Sequence, residues 1–298
     1  MTSARKILAL GLLGVLPLLS VWGQDSQDSQ EALRIRPEPL AGKEVNRRHV
    51  QKTVARALHP REGWTTVERR QETWVSVFTE RGSDAGGFPR SKCVIKKISL
   101  SESIPATGEE IAWDSENWQV GTPFGARFGP QLDKPFLIRR DERGIPKDVI
   151  GVQPGSPITE KIVMSLAAPG EEYAYPAEPI RPGHRWEVEK VEMSPGLGEF
   201  TTTGEFEFVG IVLRGTKRVA HIVLELKIAE QKEGMAGGRV VGGEVVENFY
   251  LALDTGAVTE AVSKAVIEVE RQDVDGTMIE LKTIFEASNG LVEDAPPQ

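Results

Sequence analysis

Six β-like runs follow one another in the second half of this chain, and they constrain the fold more than any other feature. Each run is rich in β-branched and aromatic residues, and together they are residues 185–191, 205–213, 217–229, 239–253, 257–271 and 277–287. Some connections between them are as short as residues 214–216 and 254–256, so the strands they join must be antiparallel. Several runs exceed the usual strand length, and we therefore expect the sheet to curve strongly or to close on itself.

Shorter segments of similar composition precede that meander, namely residues 73–80, 93–100, 135–140 and 145–150. Residues 157–167 have the apolar periodicity of a helix. We predict a mainly β fold of the α+β type: a curved antiparallel sheet or half-barrel with one or two short helices packed against it. Residues 61–152 form its N-terminal β segment and residues 153–290 its helix and C-terminal meander, and the two segments can join into one continuous domain.

The N-terminus has the parts of a secretory signal peptide. Arg5 and Lys6 precede an apolar run at residues 7–19, and the small residue Gly23 closes the segment. The run is shorter than the roughly 20 residues that a membrane-spanning helix needs. We predict that residues 1–23 are cleaved and that the protein is exported and soluble, either periplasmic or extracellular. An uncleaved N-terminal anchor is the alternative.

The segments on either side of the signal and the sheet are polar or basic. Residues 24–40 hold few bulky apolar side chains and predict a flexible tether, and residues 291–298 predict a disordered tail. Residues 41–60 predict a basic amphipathic helix, because basic side chains recur there at every fourth position. The predicted partner-binding residues of this stripe are Arg48, Lys52 and Arg56. Such a stripe can make a peripheral contact with anionic lipid or dock on an acidic envelope protein, and a solvated charged face is the alternative.

Net charge and cysteine content argue against a nucleic-acid-binding protein and against a disulfide-stabilised fold. The chain carries a formal net charge of −8, and loss of Arg5 and Lys6 with the signal makes it more acidic, so we expect no nucleic-acid partner. The only cysteine is Cys93, so the chain has no internal disulfide. Because Cys93 lies in a strand-like run, we expect a buried thiol, with a reactive thiol or an intermolecular bridge as the alternative.

A proline-rich segment leads into the C-terminal meander. Residues 175–186 read Tyr-Pro-Ala-Glu-Pro-Ile-Arg-Pro-Gly-His-Arg-Trp, and residues 254–256 form an Asp-Thr-Gly turn further on. The prolines hold an extended approach, the glycine permits a turn, and Trp186 can close the end of the sheet. Over residues 136–287 this pattern resembles a bacterial family of exported β-rich proteins of unknown function, in which an Asp is more usual where His184 stands. A weaker analogy of fold links such sheets to periplasmic carriers of lipoproteins or lipids.

The sequence contains no recognisable catalytic, metal-binding or nucleotide-binding motif, and we predict no cofactor and no metal site. The four histidines lack the spacing of zinc ligands. The Asp-Val-Asp-Gly sequence at residues 273–276 would need acids where Arg271 and Lys282 stand if it were to bind calcium. Asp114 and Glu116, which lie between two tryptophans, leave open an enzyme with an unrecognised carboxylate site.

Three classes of function remain. The first is an exported, noncatalytic binding protein that holds an apolar small molecule or lipid against the curved sheet. Its predicted lining consists of Phe206, Phe208, Ile222, Leu224, Phe249 and Leu251. An ordinary closed core made by the same side chains is the alternative. The second class is a structural or interaction subunit of the cell envelope that recruits a partner by edge pairing, and the third is the enzyme.

Overall fold

A computed structural model describes most of the chain outside its two ends. The described residues are 32–33, 35, 44–59, 63–83, 89–117, 123–141, 145–167, 169–170, 175–194, 198–231, 238–272 and 277–292. The predicted signal peptide at residues 1–23 and nearly all of the predicted tail lie outside these ranges. Within them, no helix is both long enough and apolar enough to span a membrane.

The described residues form twelve strands and two short helices. The strands are β1 (Glu44–His59), β2 (Gly63–Ser83), β3 (Pro89–Ile104), β4 (Glu109–Asp114), β5 (Pro135–Arg140), β6 (Pro146–Ile150), β7 (Arg185–Ser194), β8 (Gly198–Arg214), β9 (Lys217–Ile228), β10 (Arg239–Ala252), β11 (Val258–Gln272) and β12 (Met278–Leu291). The helices are α1 (Pro123–Phe128), which a short 3-10 turn follows, and α2 (Glu160–Ala167). The predicted fold class is confirmed, because the sheet is antiparallel, open and curved.

All twelve strands belong to one sheet. Their order across it is β6-β5-β3-β2-β1-β12-β11-β10-β9-β8-β7, with β4 paired to β3 beside this path. The six predicted C-terminal strands are therefore confirmed as a meander from β7 to β12. The two segments predicted at residues 61–152 and 153–290 share this sheet, because β1 pairs with β2 of the first segment on one side and with β12 of the second on the other.

The prediction of a basic helix at residues 41–60 is wrong, because the described part of this segment, residues 44–59, is strand β1. A spacing of four residues places side chains on one face of a helix and equally on one face of a strand, so the pattern alone does not separate the two. The pairing does: β1 lies between β2 and β12 and is hydrogen-bonded to both over almost its whole length. The predicted peripheral membrane contact depended on this helix, so that prediction is wrong as well.

The two faces of the sheet differ in what covers them. Opposed residues in paired strands share a face, and one such row runs through Ile222, Phe249, Ala261, Asn289, His49, Trp74 and Ile98. This side, which we call the helix face, carries α1 and α2. The other side, which we call the open face, includes Arg48, Lys52 and Lys264.

The helix face is covered in two parts. Over β2, β3 and β5, the helices α1 and α2 pack on a buried cluster that includes Trp74, Ile98 and Phe136. Trp74 and Phe128 meet edge to face there, with ring centroids 5.9 Å apart. Asn289 at the centre of the sheet donates hydrogen bonds to the carbonyl oxygens of two residues at the C-terminal end of α2.

The other half of the helix face is covered by the proline-rich residues 175–184, which we call the strap. Trp186 follows it and stacks on Phe206 with ring centroids 4.9 Å apart. The predicted tether needs correction at two positions, because Leu33 exchanges two backbone hydrogen bonds of 2.8 Å with Ile180 of the strap and Ile35 is buried in the same cluster. Leu33 and Ile35 are alternate residues, and alternate side chains of an extended segment point to the same side, here toward this cluster.

Candidate ligand-binding groove

The six side chains predicted to line a ligand site are fully buried on the helix face. Phe206, Phe208, Ile222 and Leu224 are 0% exposed, and Phe249 and Leu251 are 1% exposed. They pack with one another and with strap residues in a single apolar cluster. This packing is what an ordinary closed core produces, and none of the six lines either of the two grooves described next.

A large groove lies instead on the open face, and two of the three predicted partner-binding residues line it. Its volume is about 1050 Å³. Arg48 and Lys52 of β1 form part of one wall, while Arg56, further along the same strand, is not part of the lining. The opposite wall comes from β11 and from the turn between β8 and β9, and β12 runs along the floor.

Small side chains on β12 create this groove. Gly290 lies between Arg48 of β1 and Glu260 of β11 in the cross-strand register. In the next row, Ser288 lies between Val50 and Val262 in the same way. Because neighbouring strands are separated by roughly 4.8 Å, a row with a short residue in its middle forms a trough between two taller walls.

The floor and walls of the groove are largely apolar. Val50, Val219 and Val262 contribute branched aliphatic surface, and Leu291 and Val292 close one end. Val262 is 38% exposed, which is unusual for a valine in the interior of a wide sheet. Exposed aliphatic surface lined up along one trough is the feature that distinguishes a ligand site from scattered surface valines.

Charged residues stand around this apolar surface. Five are basic and two are acidic, and they are Arg48, Lys52, Arg214, Lys217, Lys264, Glu260 and Glu286. One pair is fixed: the Arg214 guanidinium donates to Glu260 at 2.6 and 3.1 Å, and its central carbon lies 4.4 Å from the centre of the Tyr250 ring. The hydrogen bond to Glu260 raises the pKa of Arg214. This ion pair forms part of one wall of the groove.

A second groove on the open face has the opposite charge. Its volume is about 770 Å³, and its acidic lining residues are Glu187, Glu189, Glu205, Glu225 and Glu244. The two grooves share one row of the sheet, because Val246 lies opposite Glu225 on one side and opposite Lys264 on the other. The open face thus divides into a basic groove over β1, β12 and β11 and an acidic groove over β7 to β10.

The carboxylates that left an enzymatic site open are engaged by a lysine. Lys97 lies 3.3 Å from Asp114 and makes a shorter contact with Glu116, whose hydrogen bond raises the pKa of Lys97. Trp113 is 6% exposed and packs on the rings of α1, so its face is turned into the core. The other tryptophan of that motif lies outside the described residues.

The remaining reactive side chains have structural surroundings. Cys93 is fully buried in β3, as predicted, and burial raises the pKa of its thiol to about 12. The ring of His221 stacks on Tyr250 with centroids 4.8 Å apart, and its Nε2 lies 2.9 Å from Oδ1 of Asn248. Burial lowers the pKa of His49 on the helix face. In the part of the chain that the structure describes, no group of three or more potential metal ligands occurs.

The sequence pattern singled out Arg48 and Lys52 as basic residues of a predicted helix, but it did not single out Lys264, Ser288 or Gly290, which line the same groove. The two lysines and the glycine come from strands at opposite ends of the chain, and only the pairing of β1 with β12 brings them together. The available signal was the alternation of β12, which places small residues at both positions 288 and 290 of one face.

Comparisons with known proteins give remote likenesses only. No family model and no curated protein sequence matches the chain. A solved structure concerning lipid–protein interactions in lipovitellin is similar over 88% of this chain and 26% of that chain, with 11% identity and a TM-score of 0.48. DynF, from the dynemicin biosynthesis pathway of Micromonospora chersina, is similar over 91% of this chain and 92% of that chain, with 7% identity and a TM-score of 0.24. Values this low carry no argument about ligand or activity, and membership of the exported β-rich family stays a prediction.

Proposed function

We propose that this protein is a noncatalytic binding protein that holds an amphiphilic ligand in the basic groove of the open face. The observation that supports this most directly is the groove itself, an apolar trough of about 1050 Å³ between β1 and β11. Ligand sites of small molecules have volumes of roughly 300 to 1,000 Å³, so this groove can accept a ligand with a long hydrocarbon part. Export through the predicted signal at residues 1–23 belongs to the same proposal.

The apolar lining supports an amphiphile better than a sugar or a nucleotide. Val50 and Val262 face each other across Ser288, and Val219 and Leu291 extend the aliphatic surface. Burying such surface under a hydrocarbon chain is favourable by roughly 25 cal/mol for each Å² of apolar area. The charged groups stand at the rim, where a polar headgroup would remain in contact with water.

The envelope-subunit alternative receives less support from the edges of the sheet. The edge strand β7 presents exposed Glu187 and Glu189, and its Arg185 pairs with Glu205 and Glu207 of β8. Charged side chains on an edge strand oppose the addition of a further strand. The opposite edge, β6, is only five residues long.

Filling the groove tests the proposal. A Cβ added at Gly290 would have only the carbonyl oxygen of Thr259 near it, at 4.0 Å, so the backbone leaves room for a side chain here and Gly290→Leu extends one into the trough. Gly242 in β10 has nothing within 4 Å of such a Cβ and lines neither groove, and Gly242→Leu is therefore the matched control. We expect fluorescence titration with the neutral apolar dye Nile red to show saturable binding to the wild type and to Gly242→Leu.

Gly290→Leu should lose most of that binding while keeping the unfolding midpoint of the wild type. Unaltered dye binding by a folded Gly290→Leu variant would place the apolar site elsewhere and refute the proposal. As an independent measurement, native mass spectrometry of the protein purified from its own envelope should detect a bound lipid-sized molecule, whereas a stoichiometric protein partner would favour the envelope subunit.

A further inference from the structure

The basic groove carries a positive charge although the chain as a whole is acidic. The chain as a whole is acidic, with a formal charge of −8. The basic groove nevertheless has five basic side chains and two acidic ones, which leaves a formal surplus of three positive charges within one trough. A local field of the opposite sign to the whole molecule attracts anions to that place and to few others.

Three cations of the groove have no ion-pair partner among the described residues: Arg48, Lys52 and Lys264. All three side chains are exposed. Another open-face row gives a direct contrast, since Lys282, two rows away, lies 2.9 Å from Glu268 of the paired strand. A cross-strand ion pair therefore forms elsewhere on this face, whereas these three cations remain available for a ligand.

Glu286 lies between two of these cations without pairing with either. It lies opposite Lys52 on β1 and opposite Lys264 on β11, yet it has no ion pair within 4.0 Å in the described chain. A single carboxylate can compensate at most one of the two lysines. An excess of positive charge thus remains along this row, beside the aliphatic surface of Val262.

The acidic groove on the same face makes the location specific. Glu225 and Glu187 lie further along the row that contains Lys264 and Val246, and both carboxylates would repel a negatively charged headgroup. An anion that reaches the open face is therefore favoured over β1, β12 and β11 and disfavoured over β7 to β10. Like-charge contacts of this kind contribute to specificity as much as the attractive ones do.

We infer that the ligand of the basic groove is an anionic amphiphile, in which an oxyanion headgroup bound by Arg48, Lys52 and Lys264 is joined to a hydrocarbon chain lying along Val50 and Val262. This inference rests on the proposed function and names its ligand class. The planar guanidinium of Arg48 can bind a carboxylate or phosphate through two parallel hydrogen bonds, and a lysine adds a point charge. The valines between the cations favour a lipid over a free inorganic anion.

A matched set of ligands tests the role of the headgroup. Dodecanoate, dodecyl phosphate, dodecanol and dodecyltrimethylammonium have the same chain and differ in charge, and binding is measured by isothermal titration calorimetry at low ionic strength. Hydrogen bonds to charged groups predict that both anions bind about tenfold to a hundredfold more tightly than dodecanol. Added salt should narrow this gap, because exposed charges are screened. The cationic amphiphile should bind most weakly.

Single substitutions identify the cations. Arg48→Gln, Lys52→Gln and Lys264→Gln should each weaken dodecanoate binding by roughly threefold to tenfold and leave dodecanol binding unchanged. Arg56→Gln is the matched control, because Arg56 is exposed on the same face of the same strand and lies outside the groove lining. It should bind both ligands as the wild type does.

The possible failures are distinguishable. Equal affinity for dodecanoate and dodecanol would overturn the inference and leave the proposed function intact, whereas failure of every amphiphile and of Nile red would overturn both. If inorganic phosphate bound as tightly as dodecyl phosphate, the hydrocarbon chain would contribute nothing to binding, and the inference of an amphiphilic ligand would be refuted. A loss in Arg56→Gln as large as that in Lys52→Gln would show a diffuse effect of surface charge, and the specific role of the groove would be refuted.

Discussion

Asn289 holds helix α2 on the centre of the sheet, and replacing it gives a sharp test of the fold. Its side-chain nitrogen donates to the carbonyl oxygens of Ser165 at 2.7 Å and Leu166 at 3.3 Å, and the residue is 3% exposed. Asn289→Ala removes both donors and leaves two carbonyl groups without them, which costs about 1–3 kcal/mol of unfolding free energy. Asn289→Asp is worse, because it places a carboxylate against two carbonyl oxygens at the negative end of a helix dipole.

The expected loss for Asn289→Asp at neutral pH is about 3–5 kcal/mol, the usual cost of an uncompensated buried charge. That is a large part of a total stability of about 5–15 kcal/mol. The assay is urea unfolding followed by tryptophan fluorescence. Asn248→Asp is the control: Asn248 lies on the open face with its side-chain oxygen 2.9 Å from Nε2 of His221, which can donate to a carboxylate. The reasoning is refuted if both Asp variants are equally stable, or if Asn289→Ala loses more than Asn289→Asp.

Three further predictions concern Cys93, His49 and Gly204. Because burial raises the pKa of the Cys93 thiol to about 12, a thiol reagent should label the native protein at pH 8 only at the rate of unfolding, and fast labelling would contradict its burial. Burial lowers the pKa of His49 in the folded protein. The folded state is therefore fully stable above the usual histidine pKa of 6.5 and loses stability as the pH falls below that value, because the buried ring resists protonation. His49→Gln should flatten the pH dependence of the unfolding midpoint between about pH 7 and about pH 5. Gly204→Ala should strongly destabilise the protein, because the new Cβ would overlap with the carbonyl group of Glu225. If calorimetry gave the variant the same unfolding temperature as the wild type, β8 and β9 would have to lie further apart than the structure shows.

Much of the fold was predictable from local pattern. The meander from β7 to β12 follows from alternation and short turns, and residues such as Ile222 and Leu224 on one side of β9 were correctly predicted to be buried. Local pattern was insufficient for β1, where a repeat of four residues fits a helix and a strand equally well. Only the hydrogen bonds to β2 and β12 decide between them, and these partners are not visible in a short window of sequence.

The groove could be predicted only in part, because local pattern shows residues that are close in sequence but not those that strand pairing brings together. Arg48 and Lys52 were prominent because they are neighbours in the sequence, whereas Lys264 and Gly290 acquire a role only when β11 and β12 lie beside β1. The six apolar residues were correctly placed on one side of the sheet. Whether that side is covered depended on the strap, whose contact with Leu33 and Ile35 lies in a segment that composition alone describes as unstructured.

The pairing of β1 with β12 has a consequence for synthesis of the chain. The first strand of the sheet and the last lie side by side at its centre, while β6 and β7, the two outermost strands, follow each other in the sequence. During translation the N-terminal half therefore exposes one whole edge of β1 until residues 278–291 have emerged, and that edge can pair with other nascent chains. Pairing β1 with β12 brings together strands from the two ends of the polypeptide, so it should be a late and slow step in folding. A chain that stops before β12 would leave a sheet in two unjoined halves.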